Sequence, residues 1–173
     1  MRRSLAQVFL LLVFALAGAS QAGARDPSKT IFGYVERVVI SAEGLSLKAR
    51  LDTGALTSSL DAHNIVRFRR GDARFVRFDV HDPATDQYVT LERRLVRNVR
   101  IRQHQGPPVR RPVVRMRLCL GHLVREVEVN LTSRKQLIYP LLIGRSAMRR
   151  AVIVDPDLTF TSSPKCDLAE LAE

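Results

Sequence analysis

From Ile31 to Thr161 apolar residues recur at every second position in short runs, and Gly, Pro, Asn or Asp cut the runs apart. Leu45, Leu47, Ala49 and Leu51 alternate with Ser46, Lys48 and Arg50, and Val76, Phe78 and Val80 fall on one side of another run. Val114, Met116, Leu118 and Leu120 fall opposite Arg115, Arg117 and Cys119. A period of two is the signature of a strand with one buried face. Helical periodicity is almost absent: Arg145 to Arg150 predicts a short helix and Asp61 to Val66 a single helical turn. Many short strands with turn signals between them predict an all-β chain whose sheet closes into a β-barrel, with one short helix near the C-terminus.

The turns order these strands. Glu43-Gly44 joins Ile31 to Ile40 with Leu45 to Leu51 in a hairpin that delivers the chain into Asp52. Gly121-His122 joins Val113 to Leu120 with Leu123 to Leu131, with Val127, Val129 and Leu131 inward. Loops are expected at Arg69-Arg70-Gly71-Asp72, at Asp82 to Asp86 and at Gln103 to Pro108.

Residues 1–24 have the three parts of an export signal: Arg2 and Arg3, an unbroken apolar run from Val8 to Ala17, and then small residues. Ala22-Gly23-Ala24 or Ser20-Gln21-Ala22 fits a cleavage site. The apolar run is too short to span a bilayer, and Ala19 stands where a lipidated cysteine would be, so no transmembrane helix and no lipid anchor are expected. The expected organisation is a signal peptide over 1–24, a flexible segment over 25–30, one domain over 31–161 and a tail over 162–173. The expected location is periplasmic or secreted.

Without the signal the formal charge falls from +11 to +9. Of the 28 basic residues 24 are arginine, spread along the strands with few aromatics between them. That spread argues against a specific nucleic-acid site and for solvated strand faces, with an anionic envelope surface as a secondary partner. Cys119 and Cys166 lie in a chain expected to leave the cytoplasm, so a disulfide is permitted. The spacing leaves a bridge and two free thiols equally open, and the alternation places Cys119 off the core face. Their spacing matches no zinc motif. His63, His81, His104 and His122 are scattered, with no H-E-x-x-H, and no glycine loop suits a nucleotide phosphate. No metal and no cofactor are expected.

The chemistry concentrates in Ala49 to Leu60, A-R-L-D-T-G-A-L-T-S-S-L, where an alternating strand ends in Asp52-Thr53-Gly54. About ninety residues later Tyr139 to Ser146, Y-P-L-L-I-G-R-S, carries a buried strand into Gly144 and Arg145 at the start of the short helix. Together the two stretches resemble the retropepsin-like aspartic proteases. The chain looks closest to the bacterial family labelled ATP-dependent zinc protease, whose members occur beside or fused to ATP-grasp peptide ligases. Phe78 to His81, Arg111 to Val114 and Val154 to Pro156 extend the resemblance, which covers roughly Phe32 to Thr161.

The resemblance implies an acid protease fold and a role for each matching residue. Asp52 would be the catalytic carboxylate, Thr53 would brace the turn through its hydroxyl, and Gly54 would admit the substrate backbone. Ala55 and Thr57 would support the site, Gly144 would pack beneath the turn, and Arg145 would tie the helix to the barrel. Aspartate-driven peptide hydrolysis needs two carboxyls about 3 Å apart sharing one proton. With a single D-T-G per chain, the enzyme would be a homodimer with Asp52 of each copy on a two-fold axis. The partner is then a peptide or protein substrate.

Two departures from the family pattern keep other readings open. Leu56 and Thr57 stand where retroviral members have acidic residues, which leaves Arg145 without its expected acid. The nearest flap, Gln103 to Val113, has only Gly106 and is stiffened by Pro107, Pro108 and Pro112. A non-catalytic module that binds a peptide or partner in the same groove is the alternative, and a metal-dependent hydrolase is the third reading.

Overall fold

The computed structural model describes residues 29–40, 42, 44–102 and 106–172. The export signal and its cleavage positions lie outside the described residues, as do Glu43 and His104.

Ten strands follow one another: β1 (Thr30–Val39), β2 (Ser46–Asp52), β3 (Ser58–Asp61), β4 (His63–Arg70), β5 (Ala73–Asp82), β6 (Gln87–Ile101), β7 (Val109–Leu120), β8 (Leu123–Thr132), β9 (Leu141–Gly144) and β10 (Val152–Thr159). One α-helix, α1 (Arg145–Met148), separates β9 from β10, and a 3-10 turn covers Leu168–Leu171. The chain is mostly β, as the period of two predicts. Six strands form a ring in the order β1, β2, β9, β3, β8, β7, closed where Val38 and Val39 of β1 pair with Leu120 and Cys119 of β7. β10 adds outside the ring, parallel to β1, and β6, β5 and β4 continue outward from β7 as an antiparallel arm.

The apolar faces of the ring strands meet inside it, where Phe32, Leu47, Leu60, Met116, Leu131 and Leu141 are all within 1% of full burial. The arm continues that core through Val76, Phe78, Val80 and Leu91. β1 breaks the simple alternation, exposing Ile31, Tyr34 and Arg37 at intervals of three. A bulge between Gly33 and Val35 against β10 makes the first break, and the burial of Glu36 against Thr161 makes the second. A Cβ on Gly33 would lie 2.3 Å from the Leu158 carbonyl oxygen, so only glycine lets β10 cross there.

Buried inside the same strand is a carboxylate that the apolar reading of Ile31 to Ile40 passed over. Glu36 is fully buried, and its Oε1 accepts from the Gly33 N–H at 2.8 Å, the Thr161 N–H at 2.9 Å and the Thr161 hydroxyl at 2.6 Å. It anchors the segment that follows β10.

That segment then runs back over the ring. Cys166 is bonded to Cys119, with the sulfurs 2.01 Å apart. Cys119 lies off the main core face, as the alternation predicts, yet is 1% exposed because it packs with Val39 and Leu171 in a second, smaller cluster. The face of β7 opposite the main core is covered here by the tail, and Arg117 donates to the carbonyls of Glu170 and Ala172. The helical turn expected over Asp61 to Val66 is absent. Asp61 ends β3 and residues from His63 onward form β4, because β4 pairs antiparallel with β5, His63 with Asp79 and Val66 with Arg77. The loop expected at Arg69 to Asp72 narrows to a turn at Gly71-Asp72 between β4 and β5.

Candidate active site

β2 and β9 run parallel through four pairs, Ala49 with Leu141 up to Asp52 with Gly144, so the two motifs end side by side. Asp52 is the last residue of β2 and is half-buried, while Thr53 and Gly54 are exposed. Its Oδ1 accepts the Gly54 N–H at 2.8 Å and the Ala55 N–H at 3.2 Å, which fixes the carboxylate on its own turn. Its Oδ2 has no partner among the described residues.

The turn is clamped from the β9 side. Arg145 Nη1 donates to the carbonyls of Thr53 at 2.9 Å and Gly54 at 2.8 Å. The Arg145 N–H reaches the Ala55 carbonyl at 2.9 Å, and the Ser146 N–H and hydroxyl both reach the Leu56 carbonyl, at 3.1 and 2.7 Å. These donors are the first N–H groups of α1, which have no partner inside the helix. Beneath them the Ser58 hydroxyl accepts the Gly144 N–H at 3.2 Å and the Ser58 carbonyl accepts from Asn130 Nδ2 at 2.6 Å. Gly144 has no room for a side chain: a Cβ would lie 2.6 Å from the Thr57 carbonyl carbon.

The structure thus brings Asp52, Thr53, Gly54, Ala55, Thr57, Gly144 and Arg145 into one assembly. Arg145, short of an acid, binds two carbonyls instead. The Thr53 hydroxyl makes no hydrogen bond among the described residues, so the bracing expected of it is supplied by Asp52 and Arg145. His81 Nε2 lies 2.9 Å from Asp86, and Asp79 accepts from Asn64 and Thr90, contacts that hold its carboxyl below the usual range, the Thr90 hydrogen bond most. Among the described residues no three His, Cys, Asp or Glu side chains gather as a metal set.

A cleft of about 470 Å³ opens beside the turn, between Ala55, Leu56 and Thr57 on one side and Arg97, Val99 and Arg111 of the β6–β7 hairpin on the other. Arg134 and Asn130 line it as well. Arg97 is paired with Glu128 at 2.8 Å. Arg111 donates to Asn130 Oδ1 at 3.2 Å, while its Nε–H is buried with no partner. Arg134 is 9% exposed; its Nε donates to the Tyr139 carbonyl and its Nη1 to the Ser59 hydroxyl. Burial pulls both guanidiniums below their ordinary range, and for Arg134 the carboxylates of Asp61 and Asp52 oppose that pull. Both stay charged at any working pH.

Sequence reasoning did not single out these arginines or Asn130 as site residues. Asn130 left a trace, as an amide inside the strand V-E-V-N-L-T. Arg134 left none, because it reads as a loop cation after β8 and meets its acceptors, the Tyr139 carbonyl and the Ser59 hydroxyl, only in the fold.

A family model described as RimB-like, retropepsin-like aspartic endopeptidase RimB, matches residues 31–165. A probable alpha-L-glutamate ligase of Parasynechococcus marenigrum is 39% identical over 132 residues, covering 75% of this chain and 28% of that protein. A protein of the same description from Shewanella pealeana is 35% identical over 144 residues, covering 82% and 31%. The chain spans under a third of the length of these curated relatives. The crystal structure of a Legionella pneumophila protein of unknown function is 40% identical, with a TM-score of 0.70, covering 79% of this chain and all of that one. The family and the relatives carry the aspartic-endopeptidase and glutamate-ligase descriptions, not the zinc-protease label.

Proposed function

The chain belongs to the RimB-like family of retropepsin-like aspartic endopeptidases, and from that membership we propose an exported, homodimeric aspartic endopeptidase whose preferred substrates are acidic peptides, α-linked glutamate above all. The observation that carries the reading is the Asp52 carboxylate, held through Oδ1 by two backbone N–H groups with Oδ2 unpartnered on an exposed turn. In this reading the six-stranded ring is the closed barrel of the fold.

One such carboxyl is half of a mechanism. On a two-fold axis the Asp52 carboxyls of two copies share one proton. The ionised one takes a proton from water as it attacks the peptide carbonyl, and the protonated one gives its proton to the carbonyl oxygen. Collapse of the tetrahedral intermediate returns the hydroxyl proton to one carboxylate and moves the other proton to the departing nitrogen, so the pair ends as it began.

The acidic preference draws on two things: the glutamate-ligase description of the relatives, and the cleft beside Asp52 with Arg97, Arg111 and Arg134 in its wall. Guanidinium pairs with carboxylate in a bidentate way, and Arg111 makes only one side-chain hydrogen bond, to Asn130. Asp52→Asn is expected to stay folded and dimeric and to lose cleavage of oligo-α-glutamate by at least a thousandfold. Undiminished cleavage by that variant sinks the reading.

Leu56, 60% exposed at the rim of the site, favours a second reading: a module that binds a peptide in this groove without cutting it. A wild-type protein that binds glutamate peptides but stays monomeric at micromolar concentration and inert from pH 4 to 7 would establish it.

A further inference from the structure

A second cleft, separate from the one beside Asp52, opens where β6 changes partners. Phe75 with Arg94 is the last pair between β5 and β6, and Leu95 with Val114 is the first between β6 and β7. A bulge between Leu95 and Arg97 marks the change. The strands part here around a cavity of about 460 Å³ lined by Arg74 of β5, Arg94 of β6, Arg115 of β7 and one acid, Asp72.

Three arginines, one from each of three strands, and Asp72 line this cavity. Arg74 and Arg94 have no ion-pair partner among the described residues, and Arg115 has Glu126 at 3.7 Å, both side chains more than half exposed. Arg74 is also paired directly across the hairpin with Arg69. Like charges facing one another across a ladder repel. A protein with no use for an anion here gains nothing from that placement.

The position of the cleft says which anion. Arg97, three residues along β6 from Arg94, lines the cleft beside Asp52. The bulge shortens that step, since the β7 register moves only from Val114 to Val113 between Leu95 and Arg97, and the stretch spans about 7 Å, the length of about two residues of an extended substrate. One acidic chain can therefore lie along β6 with its cleaved part over Asp52 and its continuation among Arg74, Arg94 and Arg115.

We propose that this distal cleft is an exosite for acidic peptide, holding carboxylates of the substrate beyond those in the catalytic cleft. It rests on the acidic-peptide reading above and adds a preference for length. Bidentate pairing with three arginines favours carboxylate side chains in succession, and a peptide too short to bridge the clefts gains nothing from it.

The test uses Asp52→Asn protein, so that ligands bind without turnover. Binding of tri- and deca-α-glutamate is compared with and without the added pair Arg74→Glu and Arg94→Glu. A neutral pair, Arg74→Gln and Arg94→Gln, and circular dichroism guard against misfolding. Decamer affinity is expected to fall at least tenfold with the charge-reversed pair and severalfold with the neutral one, while trimer affinity changes less than twofold. Unchanged decamer affinity overturns the exosite, as does an equal loss for both lengths. Loss of binding to phosphatidylglycerol vesicles with decamer binding intact also overturns it, making the cleft a membrane contact. Failure of the parent protein to bind or cleave any glutamate peptide instead brings down the acidic-peptide reading.

Discussion

Asp52 and Gly144 are paired residues of parallel strands 92 positions apart in sequence, and the space a side chain on Gly144 would need is occupied by the backbone of Thr57. The carboxylate turn and the helix start are therefore packed backbone on backbone. Gly144→Ala puts a Cβ 2.6 Å from the Thr57 carbonyl carbon, and neither backbone can rotate away as a side chain could. Overpacking of this kind costs about 2–3 kcal/mol. Since the segment that shifts carries Asp52, kcat should fall more than stability does, by roughly a hundredfold for a displacement near 1 Å. Urea unfolding and peptidase kinetics on the same preparation check both.

The two cleft arginines should separate binding from folding. Arg134 is buried and holds the Tyr139 carbonyl and the Ser59 hydroxyl. Arg134→Met leaves those two acceptors without a partner, at about 3 kcal/mol of stability. Arg111 is half-buried with one hydrogen bond and a free Nε–H. Arg111→Met should cost about 1 kcal/mol in folding but raise KM for glutamate peptides roughly tenfold with kcat retained. Burial lowers the Arg111 pKa, yet a guanidinium still does not titrate below pH 9. The KM ratio between variant and wild type should therefore stay flat from pH 6 to 9.

Much of this was readable in the sequence because the signals were local. The period of two marked the strands, and the pairing of D-T-G with I-G-R gave Asp52, Gly144 and Arg145. What stayed hidden depended on partners distant in the chain. The start of β4 reads as a helical turn and is a strand because β5 pairs with it. β10, broken by Pro156, carries too little alternation to be read as a strand and is one by pairing with β1. Cys119 sits on the strand face that alternation marks as outer, and the tail that buries it arrives 47 residues later. The β6–β7 hairpin was expected near its tip as a flap. Its role as the wall of a cleft comes from Arg97, Val99 and Arg111 further down its strands.

Glu36 anchors the first residues after β10, beside the bond from the Phe160 N–H to the Val35 carbonyl. Its Oε1 takes three hydrogen bonds, two of them from Thr161. Glu36→Gln can keep those through its amide oxygen but turns an N–H₂ toward the Ser162 N–H, which now points at Oε2. The weakened and mismatched contacts should cost about 1–2 kcal/mol. Glu36→Ala leaves the buried Gly33 N–H and the two Thr161 donors without their acceptor and should cost about 3 kcal/mol. Hydrogen exchange at Gly33, Thr161 and Ser162 should quicken in step with the loss of stability, and equal protection in wild type and Glu36→Ala would remove the carboxylate from its anchoring role.

The Cys119–Cys166 bond should matter to stability and not to catalysis. It joins residues 47 apart, and closing a loop of that length stabilises by about 4 kcal/mol in the chain-entropy account. For a domain of this size that corresponds to roughly 10 °C in melting temperature. Its location keeps it away from the chemistry. Val39 pairs with both Cys119 and Ser46, and Ser46 and Asp52 are the two ends of β2, about 20 Å apart at strand rise. Reduction, or the pair Cys119→Ser and Cys166→Ser, should lower the melting temperature by about that amount and free the tail, seen as faster proteolysis beyond Thr161. Below the new melting point kcat on a glutamate peptide should stay within twofold of the oxidised protein. A large fall in kcat without unfolding would mean that the tail reaches the Asp52 turn by a route the fold does not show.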